Sequence, residues 1–95
     1  MRYLFFFILL LGFKNTFAQK LNGEIIDQLS GEPIGLVLIS TEKSKITTDE
    51  NGTFSIQIEG IKNITFSKTG YEELVIGVKD INIEDSKFVV ELSSN

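Results

Sequence analysis

Residues Ile46 to Ile58 read Ile-Thr-Thr-Asp-Glu-Asn-Gly-Thr-Phe-Ser-Ile-Gln-Ile, and the reading of this stretch decides the fold class. Asp49 and Asn51 can turn their side chains back onto nearby backbone groups, and Gly52 accepts positive φ without a Cβ clash. Past the turn, Phe54, Ile56 and Ile58 alternate with Ser55 and Gln57. That period of two puts an apolar face opposite a polar one. The stretch therefore predicts a β-hairpin with its tip at Asp49-Glu50-Asn51-Gly52, and the other strands are expected to partner it.

Working outward, Lys20 to Asp27 reads as a strand with Leu21 and Ile25 on one face and Gly23 between them. A glycine inside a strand marks a bulge or a close backbone approach. Gln28 to Pro33 is a turn, with Ser30-Gly31 at its tip. Ile34 to Thr41 is nearly all apolar, which predicts a central strand buried on both faces. Beyond Ile58, Ile64 to Ser67 alternates again. Lys68-Thr69-Gly70 turns, and Tyr71 to Val78 carries Leu74, Ile76 and Val78 in phase. Lys79 to Ser86 is a charged connection, and Lys87 to Ser93 closes with Phe88, Val90 and Leu92 on one side. About seven short strands separated by turn signals predict an all-β sandwich or barrel.

The chain has 95 residues, which allows one domain with one core. It contains no Cys and no His. That inventory removes disulfides, thiolate sites, Ser-His-Asp triads, Cys-His nucleophiles and the commonest zinc ligand. The expectation is a non-enzymatic protein with no catalytic, cofactor-binding or metal-binding residues and no cofactor.

Residues 1–18 have the layout of a secretory signal peptide. Arg2 supplies the positive start, Tyr3 to Phe13 the apolar run, and Thr16-Phe17-Ala18 the small-residue end. The run is shorter than the roughly 20 residues that cross a bilayer as a helix. No Cys follows it, so a bacterial lipoprotein anchor is not expected. Cleavage is expected between Ala18 and Gln19, leaving residues 19–95 as the domain, with no membrane span in the mature chain. Loss of Arg2 and Lys14 leaves 7 basic against 13 acidic residues, a net charge of −6. Such a surface is not built for nucleic acid or anionic lipid.

The order of motifs resembles the carboxypeptidase regulatory-like domain, a transthyretin-type β-sandwich with Greek-key connections. The resemblance rests on Gly23-Glu24-Ile25-Ile26-Asp27, Gly31-Glu32-Pro33-Ile34 leading to Val37 and Ile39, and Thr48 through Ile56. Ile64-Thr65-Phe66-Ser67 with Gly70-Tyr71 and the closing Phe88 to Leu92 complete it. It spans nearly all of Lys20 to Leu92. The family often has a Pro-Gly pair where this chain has Gly35-Leu36. The resemblance implies a seven-stranded Greek-key sandwich and a non-catalytic module. Similar domains stand after the signal peptide of bacterial outer-membrane proteins, including TonB-dependent receptors.

Individual candidates favour ordinary structural roles. Asp49-Glu50-Asn51-Gly52 has the oxygens of half a calcium loop, but Phe54-Ser55-Ile56 is strand where the distal ligand belongs. Glu72-Glu73 and Glu84-Asp85 are paired carboxylates, yet adjacent strand residues face opposite ways. Asn51-Gly52-Thr53 and Asn63-Ile64-Thr65 are glycosylation sequons, relevant only to a eukaryotic secretory route. Tyr71 is expected to pack its ring into the core with its hydroxyl at the rim.

The function expected is an accessory or interaction module at the bacterial envelope: periplasmic, outer-membrane associated or secreted. Its expected partner is an envelope or outer-membrane protein met through an exposed strand edge. The alternatives are a truncated N-terminal domain of a TonB-dependent receptor and a carbohydrate-binding module. N-terminal sequencing of the exported protein is expected to begin at Gln19; a start at Met1 or Arg2 contradicts the leader.

Overall fold

The structure is a computed structural model and describes residues 20–81 and 87–95. The expected leader at 1–18 and the Glu84-Asp85 pair lie outside the described residues. Seven strands are present: β1 (Lys20–Asp27), β2 (Leu38–Ser40), β3 (Lys45–Thr47), β4 (Thr53–Gln57), β5 (Asn63–Ser67), β6 (Leu74–Gly77) and β7 (Phe88–Leu92). A 3-10 turn, Val78–Asp80, follows β6. The strands form two sheets, ordered β4-β1-β7 and β3-β2-β5-β6. All neighbours are antiparallel except β1 and β7, which run parallel. The expected all-β sandwich of seven strands is what the chain builds.

Alternation explains which faces meet. Leu21 and Ile25 of β1, Phe54 and Ile56 of β4, and Val90 and Leu92 of β7 point inward from one sheet. Ile39 of β2 and Ile64 and Phe66 of β5 point inward from the other, and all belong to one buried cluster. The Phe54 and Phe66 rings meet across the layers, with centroids 5.8 Å apart and planes tilted by 57°. Such offset aromatic contacts add to the burial of two large apolar groups.

Gly23 has a packing reason. It pairs with Phe54 on one side and Phe88 on the other. A Cβ there would lie 2.5 Å from the Phe54 ring and 2.5 Å from the Phe88 carbonyl. The Phe54 ring therefore covers the gap that a side chain on β1 would otherwise fill.

Two sequence expectations need correction. The predicted hairpin does not form: β3 pairs with β2, whereas β4 pairs with β1 in the opposite sheet. Asp49–Gly52 is a crossing between layers, because each arm finds a stronger partner elsewhere. Thr48 N–H donates to the Val37 carbonyl at 2.9 Å, and Ile25 N–H donates to the Gly52 carbonyl at 2.9 Å. Buried Thr48 also accepts the Val37 N–H on its hydroxyl at 2.9 Å, which anchors the near end of the crossing. Gly52, at φ 75°, is wedged so tightly that a Cβ would lie 2.5 Å from the Ile34 carbonyl oxygen and 2.9 Å from that of Ile25.

The second correction concerns Ile34 to Thr41. Its regular part is only Leu38–Ser40, and although β2 is central in its sheet, it is buried on one face. Val37 and Ile39 are fully buried, whereas Leu36 is 56% and Leu38 38% exposed. A continuous apolar run imitates two-sided burial, but here the outer leucines face solvent.

Phe54→Ala is expected to destabilise the domain by about 3–5 kcal/mol in urea titration. Gly23→Ala should lower stability by about 1–3 kcal/mol through overpacking against that ring. Unchanged unfolding midpoints in both variants would contradict the packing.

Candidate functional site

Asp49 makes a closed turn. Its Oδ1 accepts the N–H groups of Asn51 at 3.0 Å and Thr53 at 2.9 Å, and its Oδ2 accepts the Thr53 hydroxyl. The Thr53 hydroxyl, followed by the backbone N–H groups of Thr53 and Asn51, holds this carboxyl below the usual aspartate range. The oxygens that a calcium loop would offer are spent on the turn's own donors. Glu72 and Glu73 are both exposed. The Glu72 N–H donates to the Ser93 carbonyl at 2.8 Å, so the pair begins a strap that runs toward β6. Asn51 and Asn63 are exposed at the crossing and at the start of β5.

Tyr71 is half-buried against the core, and its hydroxyl donates to Asp27 Oδ2 at 2.9 Å. Asp27 Oδ1 accepts the N–H groups of Leu29 at 2.8 Å and Ser30 at 3.0 Å. The Ser30 and Leu29 amides, then the Tyr71 hydroxyl, keep Asp27 below its ordinary range, and the same bond to Asp27 raises Tyr71. This knot joins the end of β1 to the turn entering the other sheet. A third carboxylate works alike: Glu42 accepts the backbone N–H groups of Lys62 and Asn63 at 3.1–3.3 Å. Its own backbone N–H, then those of Asn63 and Lys62, hold it low. All three are acceptors fixed in the ionised form, the opposite of what a general acid needs.

The edges of the two sheets differ in what they present. Ile25 N–H bonds to Gly52 O, so along the β1–β4 register Phe54 and Ile56 turn their main-chain groups toward β1. Those of Thr53, Ser55 and Gln57 turn outward. Thr53 spends its outward N–H on Asp49 Oδ1. Ser55 and Gln57 present open N–H and C=O groups, and among the described residues no strand pairs with this edge. A groove of about 530 Å³ runs beside it, lined by Ile46, Ile56, Ser55, Gln57, Lys43 and Glu59 among others.

The other edges are guarded. β3 is three residues long and begins with Lys45, a charge that discourages pairing. On β6, Glu73 precedes the strand and the Asp80 carboxylate lies 3.2 Å from the Cβ position of Gly77. On β7, Glu91 faces outward and Ser93 is already bonded to Glu72. β4, reading Thr-Phe-Ser-Ile-Gln, carries no charge within the strand; neither does β6, reading Leu-Val-Ile-Gly, but β4 is the longer of these two edge strands.

Sequence reasoning missed Leu36, the one non-glycine residue with positive φ among the described residues, at 56°. A left-handed leucine costs about 1–2 kcal/mol. It is held there because its N–H donates to the Asp49 carbonyl at 3.1 Å, while its carbonyl accepts Lys68 Nζ at 3.5 Å. The signal was present in the sequence: Gly35-Leu36 stands where the resembled family often has Pro-Gly. Leu36 and Leu38 form an exposed apolar pair on the outer face of the four-stranded sheet.

Asp27, Glu42 and Asp49 all have folded values below their unfolded ones. The stability they contribute is complete above the unfolded range and is lost as pH falls through the folded values. The melting temperature is therefore expected to drop progressively below about pH 4. Tyr71→Phe should lower it at neutral pH and shrink the acid loss, because Asp27 then has one partner fewer. A Tyr71→Phe profile superimposable on that of the unmodified protein would contradict the knot.

No protein-family model matches the chain, and no curated protein matches it either.

Proposed function

We propose that the chain is an exported, non-catalytic β-sandwich module of the carboxypeptidase regulatory-like kind, acting as an accessory or interaction domain at the bacterial cell envelope. The observation that carries this reading is the β4 edge. Ser55 and Gln57 hold open main-chain groups on an uncharged strand of five residues, Thr53–Gln57, beside a groove. An extended segment of a partner would continue the three-stranded sheet there, gaining main-chain hydrogen bonds and placing alternate side chains over Ile46 and Ile56.

Three further features support it. The sequence motifs fall on the strands and turns of a two-sheet, seven-stranded sandwich. The composition, without His or Cys, is poor in catalytic groups, and the three carboxylates with shifted values serve as turn acceptors. The apolar leader at 1–18 favours export. Among the described residues, no helix is long and apolar enough to cross a membrane. A carbohydrate platform has less support, since Phe54 and Phe66 are buried and Tyr71 and Phe88 pack against the core.

The edge can be tested without breaking the fold. Ser55 N–H points away from β1, so Ser55→Pro removes an outward donor while leaving the β1–β4 ladder intact. The expected outcome is that immobilised protein captures an envelope protein from solubilised membranes and that Ser55→Pro loses it at an unchanged melting temperature. Equal capture by both proteins, or capture of nothing specific, would contradict the proposal.

A further inference from the structure

The crossing between sheets contains a reactive dipeptide, Asn51-Gly52. Asn51 is exposed and Gly52 is buried. Gly52 is fixed at both ends: its N–H donates to the Asp49 carbonyl at 3.1 Å and its carbonyl accepts Ile25 N–H at 2.9 Å. Asn51 N–H and Thr53 N–H are both held by Asp49 Oδ1. Gly35 packs on the Glu50 backbone with no room for a Cβ. The loop is therefore pinned from both sheets.

Asparagine followed by glycine carries its own electrophile and nucleophile, and glycine offers no side chain to obstruct them. When the backbone can rotate, the Gly52 nitrogen attacks Asn51 Cγ. The new N–C bond forms, the bond from Cγ to the side-chain nitrogen breaks, and ammonia leaves with the proton that Gly52 gave up. A five-membered succinimide remains. Water then opens the ring at one carbonyl or the other, giving aspartate or isoaspartate at position 51. Water is the only co-reactant, and nothing is oxidised or reduced. The isoaspartate route moves a methylene into the main chain.

We propose that Asn51-Gly52 is a self-modification site gated by folding: shut in the closed sandwich, open in the unfolded chain, and incompatible with reclosure once isoaspartate has formed. In the folded protein the Gly52 nitrogen is engaged with Asp49 and the backbone between Asp49 and Thr53 is locked, so the ring cannot close. In the unfolded chain neither restraint exists. A longer main chain then has to fit where even a Cβ on Gly52 would lie 2.5 Å from the Ile34 carbonyl oxygen and a Cβ on Gly35 would collide with the Glu50 carbonyl, and there is no slack to absorb it.

Asn22-Gly23 provides an internal comparison, because Gly23 lies in β1 between two paired strands. Opening a central strand requires more of the molecule to unfold than opening a turn does. The experiment incubates purified protein at mildly alkaline pH with and without urea and follows both sites by peptide mass spectrometry and isoaspartyl methylation. In urea the two sites should convert at similar rates. Without urea Asn51 should convert at least about tenfold more slowly than in urea, and still ahead of Asn22. Equal rates at Asn51 with and without urea, or Asn22 leading in the folded protein, would overturn the gating.

A second step removes the urea and measures refolding by circular dichroism. Chains with isoaspartate at position 51 should remain unfolded, whereas the Asn51→Asp variant, which has the new charge but an ordinary main chain, should refold. Isoaspartate chains that regain the original melting temperature would overturn the claim that the crossing has no slack.

Discussion

The structure depends on one steric constraint: between Thr48 and Thr53 the chain must pass from one sheet to the other through a gap that admits backbone and no side chain. Gly52 fills that gap, touching the carbonyls of Ile34 and Ile25, and its own carbonyl takes the Ile25 N–H. The crossing sets Phe54 into one layer while Ile46 stays in the other. From that follow the contact of Phe54 with Phe66 across the core, the register of β4 on β1, and the direction in which Ser55 and Gln57 present their main-chain groups.

At the same end of the sandwich, beside the crossing, polar contacts join the two sheets. The Tyr71 hydroxyl reaches Asp27 and Gly70–Glu72 pairs with the residues after β7, while Ser93 Oγ and Gln28 Oε1 bond at 2.6 Å to extend the β1–β7 pairing within one sheet. Glu42 ties the β2–β3 turn to the start of β5 in the same manner. A chain this small has a modest core and no disulfide, so turn carboxylates that satisfy backbone N–H groups keep the ends of the layers from fraying. Their ionisation thus couples the stability of the fold to acid.

Much of this was legible in the sequence. The alternation of Phe54, Ile56 and Ile58, of Ile64 and Phe66, and of Val90 and Leu92 marked the buried faces correctly, because a period of two is a local property of strands. Gly23 was legible as a close approach, and Tyr71 as a core ring with its hydroxyl at the rim. The pairing of the arms around Asp49–Gly52 was not, since an Asx turn with a left-handed glycine looks the same in a hairpin and in a crossing. Distant residues decide between them: Ile39 claims Ile46 and Leu21 claims Ile56. The exposure of Leu36 and Leu38 was hidden for the same reason, whereas the Gly35-Leu36 pair did signal an unusual turn, which Asp49 and Lys68 hold at Leu36. An edge is a property of the whole sheet order, so the β4 edge, unpaired among the described residues, could be located only from the assembled strands.

Nuclear Overhauser contacts between strands test the crossing most directly. The account predicts cross-strand backbone contacts between Ile39 and Ile46 and between Leu21 and Ile56, together with ring contacts between Phe54 and Phe66. Backbone contacts between Thr47 and Phe54, the signature of the two arms folding on each other as a hairpin, would contradict it.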